Sequence, residues 1–417
     1  MPSSSPLAAL QAPRSLHLTA LKLYNLRNHA ALSLTPLDAR PVVLTGPNGV
    51  GKTNVLEAVS LLSPGRGLRR AAYGDVARRL EPGRADGPGA TPPSGTTPPD
   101  GSWAVAATVM GRAGEVALGT GLVGAPSATA QAGAGGEMGR RVRVNGAPAR
   151  TISELGEHLS LLWLTPAMDG LFTGPAAERR RFLDRLVQAL DPGHAVLTGQ
   201  FERALRQRNR RLEDATGSLM RDATLDAIEA QVAELGLALS AARRGAVLAL
   251  SDVLGEGADE AFPQARIALE GEVEAWLDAM PAAEAEERYR ETLGRTRPRD
   301  RAAGRTLSGP HRADLDVVHA QKGTPARHAS TGEQKALLIG LTLAEARLVT
   351  ERIGAVPILL LDEVAAHLDP ARRARLFDAL ATLGTQAWMT GTEPEPFAAL
   401  GERAQHFAMT AGGVARA

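Results

Sequence analysis

The sequence predicts an α/β fold: a mixed sheet with covering helices, assembled from both ends of the chain, with a helical domain inserted between the two halves. Three observations predict it. The apolar run Val42-Val43-Leu44 leads into Gly46-Pro-Asn-Gly-Val-Gly-Lys-Thr53 and then the helix-like Val55-Leu56-Glu57-Ala58-Val59, which is the strand, glycine loop and helix order of a phosphate-binding loop. Near the other end, Val356-Pro-Ile-Leu-Leu-Leu-Asp362 is too continuously apolar for a solvent-facing strand and belongs inside a covered parallel sheet. Between them the apolar period becomes helical.

Length and composition set the frame. The 417 residues are 44% apolar, enough for two or three domains with a sizeable core. Cysteine is absent, which excludes a disulfide framework and a thiolate metal cage. The N-terminus lacks the order of a signal peptide, and no apolar run approaches the roughly 18 residues of a membrane span, so a cytoplasmic protein is expected. Net charge is +1, and only Lys22, Lys52, Lys322 and Lys335 among the 47 basic residues are lysines. No global basic field announces nucleic acid, and the arginine bias weakens arguments from arginine clusters.

Taken in order, residues 1–15 are Ser, Pro and Ala without periodicity and are expected to be a disordered tail. The sheet domain begins at 16 and its N-terminal half runs to 165. Alternation through Leu16, Leu18, Leu21 and Leu23, repeated at Leu32 and Leu34, reads as strands leading into the Val42 strand, which puts the phosphate loop near the start of a sheet. Pro and Gly crowd 82–102, and Gly, Ala and Ser fill 124–139; lost donors and backbone entropy make both flexible insertions. Segments 103–109, 115–118 and 141–144 read as short antiparallel strands, and Leu161–Leu164 as another that stops at Thr165-Pro166.

The helical domain occupies 166–300. Phe182, Leu183, Leu186, Val187 and Leu190 share one helix face, with Pro175 suited to a first turn. A second helix spans about His194–Asp214. The third carries Leu225, Ile228, Val232, Leu235, Leu239, Ala242, Ala246, Ala249 and Val253 at alternating spacings of three and four. That seam predicts helices packed as a short coiled-coil-like arm, and periodicity alone fits an amphipathic helix on a globular core equally well. From 301 to 417 the sheet returns, with Ala387-Trp-Met-Thr390 as the strand after Asp362.

The chemistry follows from the loop. Its glycines let backbone N–H groups close on a triphosphate, Lys52 can reach the β and γ phosphates, and the Thr53 hydroxyl suits Mg²⁺. Asp362 ends the buried strand at the edge where open α/β sheets bind ligands, and can hold Mg²⁺ through water. Glu363 comes next, placed to orient and deprotonate water. Ser330-Thr-Gly-Glu-Gln334-Lys335 opens a helix and offers a second anion site, and Ala366-His-Leu-Asp369 follows Glu363. Taken singly these are a capped helix and a loop; their order carries the information.

That order resembles the ATP-binding-cassette (ABC) superfamily: phosphate loop, signature, Asp-Glu at a strand end, then a loop ending in Asp. Thr53 and Ser330 are 277 positions apart, too far for a transporter cassette and too near for the long coiled coils of SMC-type proteins. Over nearly the whole chain the pattern resembles the RecF family of bacterial DNA replication and repair proteins. The resemblance rests on Leu23-Tyr-Asn-Leu-Arg27-Asn28, Gly46 to Asn54, Leu56-Glu57-Ala58, Glu178-Arg-Arg-Arg-Phe-Leu-Asp184, Gln207-Arg-Asn209, Gly309-Pro-His-Arg-Ala-Asp314, the signature, and the Asp362 to Asp369 segment.

The resemblance implies an ABC-type P-loop ATPase head with an inserted helical arm. It implies a protein that dimerises head to head on ATP, binds single-stranded, gapped and duplex DNA, hydrolyses ATP weakly, supports SOS induction, and acts with RecO and RecR to load RecA. Carried over, Gly46, Pro47, Asn48, Gly49, Val50, Gly51, Lys52, Thr53 and Asn54 bind ATP, Thr53 and Asp362 serve Mg²⁺, and Lys52 and Glu363 are catalytic. Ser330 and Gly332, with Gln334, serve the γ phosphate of the opposite subunit, and Asp369 lies at the dimer seam. Two departures stand out: Thr390-Gly391-Thr392 occurs where the superfamily usually has a His, which predicts slow hydrolysis, and Leu26 replaces a common aromatic.

Arg203, Arg206 and Arg210 share a helix face, and Arg66, Arg69 and Arg70, and Arg179 to Arg181, form further clusters. With few aromatics, sequence-independent and salt-sensitive phosphate contact is the expected DNA mode. A solvated or salt-bridged face competes as the reading of each cluster. His311 has no metal-ligand pattern around it and is expected to pack between domains. A transport-coupled ABC ATPase subunit and a non-hydrolysing ATP-bound scaffold are the alternative functions; the 277-residue spacing opposes the first and Glu363 the second.

Overall fold

A central six-stranded sheet alternates its side chains between two cores. Its order is Gly413–Arg416, Gln405–Thr410, Val42–Thr45, Ala387–Gly391, Ile358–Leu361, Leu161–Leu164, parallel throughout except for the Gly413–Arg416 edge. Val42, Leu44, Leu161, Trp163, Ile358, Leu360 and Trp388 point to one core, and Val43, Leu162, Leu164, Leu359, Leu361 and Met389 to the other. Burial on both faces is why these strands read as unbroken apolar runs. The computed structural model describes residues 14–78, 101–111, 114–123, 139–215, 219–256, 262–366 and 368–417. The expected tail through residue 13, and nearly all of the insertions expected at 82–102 and 124–139, lie outside them.

The first core is closed by a second, antiparallel sheet ordered His29–Leu34, His17–Leu26, Trp103–Gly111, Gly114–Leu122, Arg140–Val144, Ala147–Pro148. This corrects the expectation that the leucine-alternating strands lead into the phosphate-loop strand. They belong to a separate sheet, because alternation suits a half-solvated face whereas Val42–Thr45 is buried on both sides. The three-residue step from Leu18 to Leu21 breaks strict alternation; a register shift between Leu18 and Ala20 absorbs the extra residue and returns Leu21 and Leu23 to the core. Arg14–Ser15 pairs with Ala355–Val356, so the tail expected to reach 15 gives way to a strand two residues earlier.

The second core lies under helices Ala176–Leu190, Thr331–Ile353 and Pro370–Leu383 and the last turns of the long helix Ala223–Glu256. The first turns of that long helix pack instead with Phe201, Val273, Tyr289 and Leu293 in a third cluster. Its buried face extends beyond the heptad seam to Ala233, Leu237, Ser240, Arg243, Val247 and Leu250, a breadth that fits a helix bridging two cores. Strand Ala265–Glu270, paired with Asp314–His319, and helices Glu272–Ala279 and Ala282–Ala302 complete this part.

Buried charges fix the helices to one another. Arg208, on helix His194–Asp214, is fully buried and donates to Glu229 (2.9 Å), Asp300 (2.8 Å), Thr306 Oγ1 (2.7 Å) and Leu293 O (2.7 Å). Arg297 donates to both oxygens of Glu229 (3.0 Å each) and to Asp226 (2.5 Å), while Asn209 Oδ1 accepts from Thr306. Such a set is held together by mutual satisfaction, since any one partner alone would be a costly buried charge.

Asp184 ties three helices together. It accepts from Arg243 Nε and Nη2 (2.8 Å each) and from His194 Nε2–H (2.9 Å). Burial alone would raise its pKa, but the hydrogen bonds from His194 and Arg243 outweigh that and hold the carboxyl at about 2. Because the folded pKa lies below the unfolded value of about 3.9, the stabilisation is complete above that pH and is lost as pH falls towards 2. Asp184→Asn should therefore cost roughly 2 kcal/mol at pH 7, and its gap from the wild type should close between about pH 4 and 2. Denaturant melts across that range check this; a pH-independent gap would contradict it.

Candidate nucleotide site

The phosphate loop is held from three sides. Gly46 sits at φ +147°, and a Cβ there would lie 2.1 Å from Met409 O on the neighbouring strand. Gly51 sits at φ +100°, where a Cβ would lie 2.4 Å from His29 Nε2. The hairpin turn of the antiparallel sheet braces the loop: Asn28 Nδ2 donates to Gly49 O (3.1 Å), His29 Nε2–H donates to Gly51 O (3.2 Å), and Asn54 Nδ2 donates to Asn28 Oδ1 (2.6 Å). Pro47, Asn48 and Gly49 are exposed at the tip and Val50 packs inward. Helix Lys52–Ser60 has no acidic residue in its first turn, so no carboxylate of its own competes for the helix N-terminus.

Lys52 Nζ donates to Gly46 O (2.6 Å) and Pro47 O (2.9 Å). Burial lowers its pKa, against the pull of Glu363 and Asp362. Behind the helix, Glu57 is completely buried and takes a two-pronged ion pair from Arg27, Nε to Oε2 at 2.8 Å and Nη2 to Oε1 at 2.6 Å. Arg69 Nη1 joins Asn54 Oδ1 (2.7 Å) to Glu57 Oε2 (3.3 Å). The motifs ending in Arg27-Asn28 and containing Glu57 thus act together as the frame of the loop.

The acidic residues meet the loop across the sheet. Thr53 Oγ1 donates to Asp362 Oδ1 (2.9 Å), Thr390 Oγ1 donates to the same oxygen (2.7 Å), and Glu363 N donates to Thr390 Oγ1 (2.9 Å). Glu363 has φ +52°, in the left-handed region. With Thr53, Arg70, Glu178 and Arg181, these carboxylates line a cleft of about 720 Å³. The Thr53 hydroxyl beside the Asp362 carboxylate is a hard oxygen pair that fits Mg²⁺, with phosphate and water supplying further ligands. Among the described residues no cluster of three His, Cys, Asp or Glu could hold a metal by itself, so the donor set fits an ion that arrives with a phosphate.

The signature stands apart from this cleft. Ser330 caps helix Thr331–Ile353 in a reciprocal box: Glu333 N donates to its Oγ (3.4 Å) and Ser330 N donates to Glu333 Oε2 (3.0 Å). Lys322 and Ser330 hold the Glu333 carboxyl down to about 2. Gln334 turns inward to donate to Ala329 O (2.9 Å), while Ser330 and Gly332 are exposed. The helix packs on Leu161–Leu164, three strand steps from Val42–Thr45, or about 14 Å at the usual strand spacing. Asp369 is exposed and caps Pro370–Leu383, accepting from Arg372 N (2.9 Å). His367 of the same loop lies outside the described residues.

The arginine clusters separate. Arg203, Arg206 and Arg210 are exposed on one helix, with Arg206 near Glu202 (3.6 Å). Arg69 and Arg70 lie on the cleft rather than on a face of their own, Arg70 with φ +55°. The cluster at Arg179 to Arg181 is engaged within the chain: Arg179 grips Asp314 with two bonds (2.7 and 2.8 Å), Arg180 donates to Ala313 O (2.5 Å), and Arg181 pairs with Glu178. These bonds join two of the sequence motifs. His311 Nε2–H donates to Thr306 O (2.9 Å) and its ring meets Phe201, burial lowering its pKa. Sequence reasoning missed Thr390 as a partner of the Asp362 carboxylate and the Glu363 backbone N–H; its only signal was that it belongs to the Thr390-Gly391-Thr392 segment, where a His is usual.

A family profile described as "AAA domain, putative AbiEii toxin, Type IV TA system" matches residues 202–391. The chain is similar to the DNA replication and repair protein RecF of Rhizobium meliloti (strain 1021), with 50% identity over 406 residues, 96% of this chain and 99% of the relative. Two solved structures, of the recombination mediator protein RecF-ATPrS and of RecF-ATP in the RecFOR pathway, share its fold with TM-scores of 0.77 and 0.76. They are 20% and 21% identical and cover 97% of this chain and 99% of their own.

Gly51→Ala forces a side chain into the left-handed region against His29, a strain of about 1–3 kcal/mol. It should weaken binding of a fluorescent ATP analogue by at least about tenfold, the equivalent of 1.4 kcal/mol. Wild-type affinity in that titration would refute the loop geometry.

Proposed function

The chain belongs to the RecF family of DNA replication and repair proteins, with an ABC-type ATPase head, and from that premise we propose an ATP-gated DNA-binding protein whose copies close head to head around two nucleotides. One observation carries this reading. Ser330 and Gly332 are exposed at a helix N-terminus, yet neither lines the cleft formed by Thr53, Asp362 and Glu363, and their helix packs on Leu161–Leu164, three strands across the sheet from Val42–Thr45. A signature so placed serves an anion on another copy. Two-fold pairing sets Ser330 of each copy against Lys52 of the other, with Asp369 at the seam and Gln334 shaping the signature turn from within.

In this reading the backbone of Gly46 to Asn54 and the Lys52 ammonium bind ATP, and Thr53 and Asp362 hold Mg²⁺, which supplies charge neutralisation at the phosphates. Glu363 orients water and takes its proton. Hydrolysis is slow, because Thr390-Gly391-Thr392 stands where the superfamily usually has a His, and the Thr390 hydroxyl is already engaged by the Asp362 carboxylate and the Glu363 backbone N–H.

Closure also gates DNA. ATP in both copies favours the dimer, and only the dimer joins the two surfaces bearing Arg203, Arg206 and Arg210. Phosphate contact by these residues supports binding to single-stranded, gapped and duplex DNA in the cytoplasm. The reading extends to cooperation with RecO and RecR in loading RecA, to weak DNA-dependent ATPase activity and to SOS induction. Family membership leaves the transport-coupled alternative without support.

Glu363→Gln with ATP should give a persistent dimer by light scattering and slow hydrolysis by about 10²–10⁴-fold; monomers alone would refute the composite site. Replacing Arg203, Arg206 and Arg210 by Ala should lower the slope of log affinity against log salt by about 0.9 for each duplex phosphate that these side chains neutralise. An unchanged slope would remove this helix from the DNA path.

A further inference from the structure

Thr390 occupies a position that neither the phosphate loop nor the signature explains. It lies on Ala387–Gly391, the strand beside Ile358–Leu361, and the register Leu361↔Met389 sets it level with Asp362 just past the strand end. It is 1% exposed. Its single hydroxyl proton goes to Asp362 Oδ1 at 2.7 Å, and its oxygen accepts the backbone N–H of Glu363 at 2.9 Å. We infer that Thr390 is a positioning residue for hydrolysis, fixing the metal-bearing carboxylate of Asp362 and the water-activating Glu363 in one relation through one oxygen.

The geometry of the neighbours calls for such a clamp. Glu363 holds φ +52° without being glycine, a conformation that persists only where surrounding bonds over-determine it. The Thr390 bond to its N–H is such a bond. Asp362 is gripped from the loop side by Thr53 and from the sheet side by Thr390, so its carboxylate cannot turn without breaking one of them. A displacement of about 1 Å in a reacting group costs on the order of 10²-fold in rate, and loss of the Thr390 hydroxyl frees both groups at once. Val has the shape of Thr without the hydroxyl, whereas Ser keeps the hydroxyl without the methyl.

The inference rests on the reading of Glu363 as the residue that activates water, so its test includes Glu363→Gln. Single-turnover hydrolysis at saturating Mg-ATP and affinity for a fluorescent ATP analogue are measured on the full chain. Thr390→Val, with Thr390→Ala as a second variant should valine misfold, is expected to lose about 10²-fold in hydrolysis with affinity within about threefold of wild type, the pattern of a transition-state effect. Thr390→Ser is expected to recover most of the rate. Wild-type hydrolysis by Thr390→Val or Thr390→Ala beside an inactive Glu363→Gln would overturn this inference and leave the function standing. An equal loss of affinity and rate, or a Ser variant no better than Val, would make Thr390 merely structural. Wild-type hydrolysis by Glu363→Gln would overturn the function and this inference together.

Discussion

The hydrogen bond between Thr53 and Asp362 joins residues 309 positions apart, and the architecture around the site depends on it. Thr53 opens the helix behind the glycine loop, and Asp362 ends the buried strand Ile358–Leu361. They meet only because Ala387–Gly391 lies between their strands and brings both carboxyl ends to one edge. Everything inserted between the two halves of the head has to leave that edge free. The antiparallel sheet accordingly closes the core away from the signature helix, and its hairpin turn reaches back only as Asn28 and His29 bracing the loop.

The parts with strong local signals were legible in the sequence. The glycine loop, the doubly buried strands and the helices Ala176–Leu190 and His194–Asp214 announce themselves through spacing and period. Helix Ala282–Ala302 does not. Its inward positions include Thr292, Arg297 and Asp300 beside Ala285, Tyr289 and Leu293, so its buried stripe is not an apolar stripe, and Pro298 near its end reads as a stop. The split into two sheets was hidden for another reason: alternation identifies strands but not their neighbours. Of the candidate site, the loop and the Asp-Glu pair were readable by type. Thr390 was not, because its importance lies in two bonds to residues 27 and 28 positions away.

Arginine, abundant by composition, performs three distinct jobs that position in the fold separates. Arg208 and Arg297 are interior ties whose carboxylate partners come from two helices. Arg27 and Arg179 are two-pronged clamps that join one sequence motif to another. Arg203, Arg206 and Arg210 face outwards. The helix His194–Asp214 carries both kinds side by side, Arg208 facing inwards between Arg206 and Arg210. Removing an interior arginine strands buried carboxylates, which is a stability effect, whereas removing an outer one changes only the field at the surface.

The interleaving of the central sheet has a consequence for synthesis on the ribosome. Val42–Thr45 is flanked by Ala387–Gly391 on one side and Gln405–Thr410 on the other, Val42 itself standing level with Trp388 and Gln405. A nascent chain that has made its glycine loop has none of that strand's eventual neighbours until more than three hundred further residues have emerged. The strand must wait unpaired through most of translation, and Leu161–Leu164 until Ile358–Leu361 has emerged, a long interval for apolar segments with open edges. Prematurely terminated chains would carry an intact Walker-type sequence with no sheet to hold it.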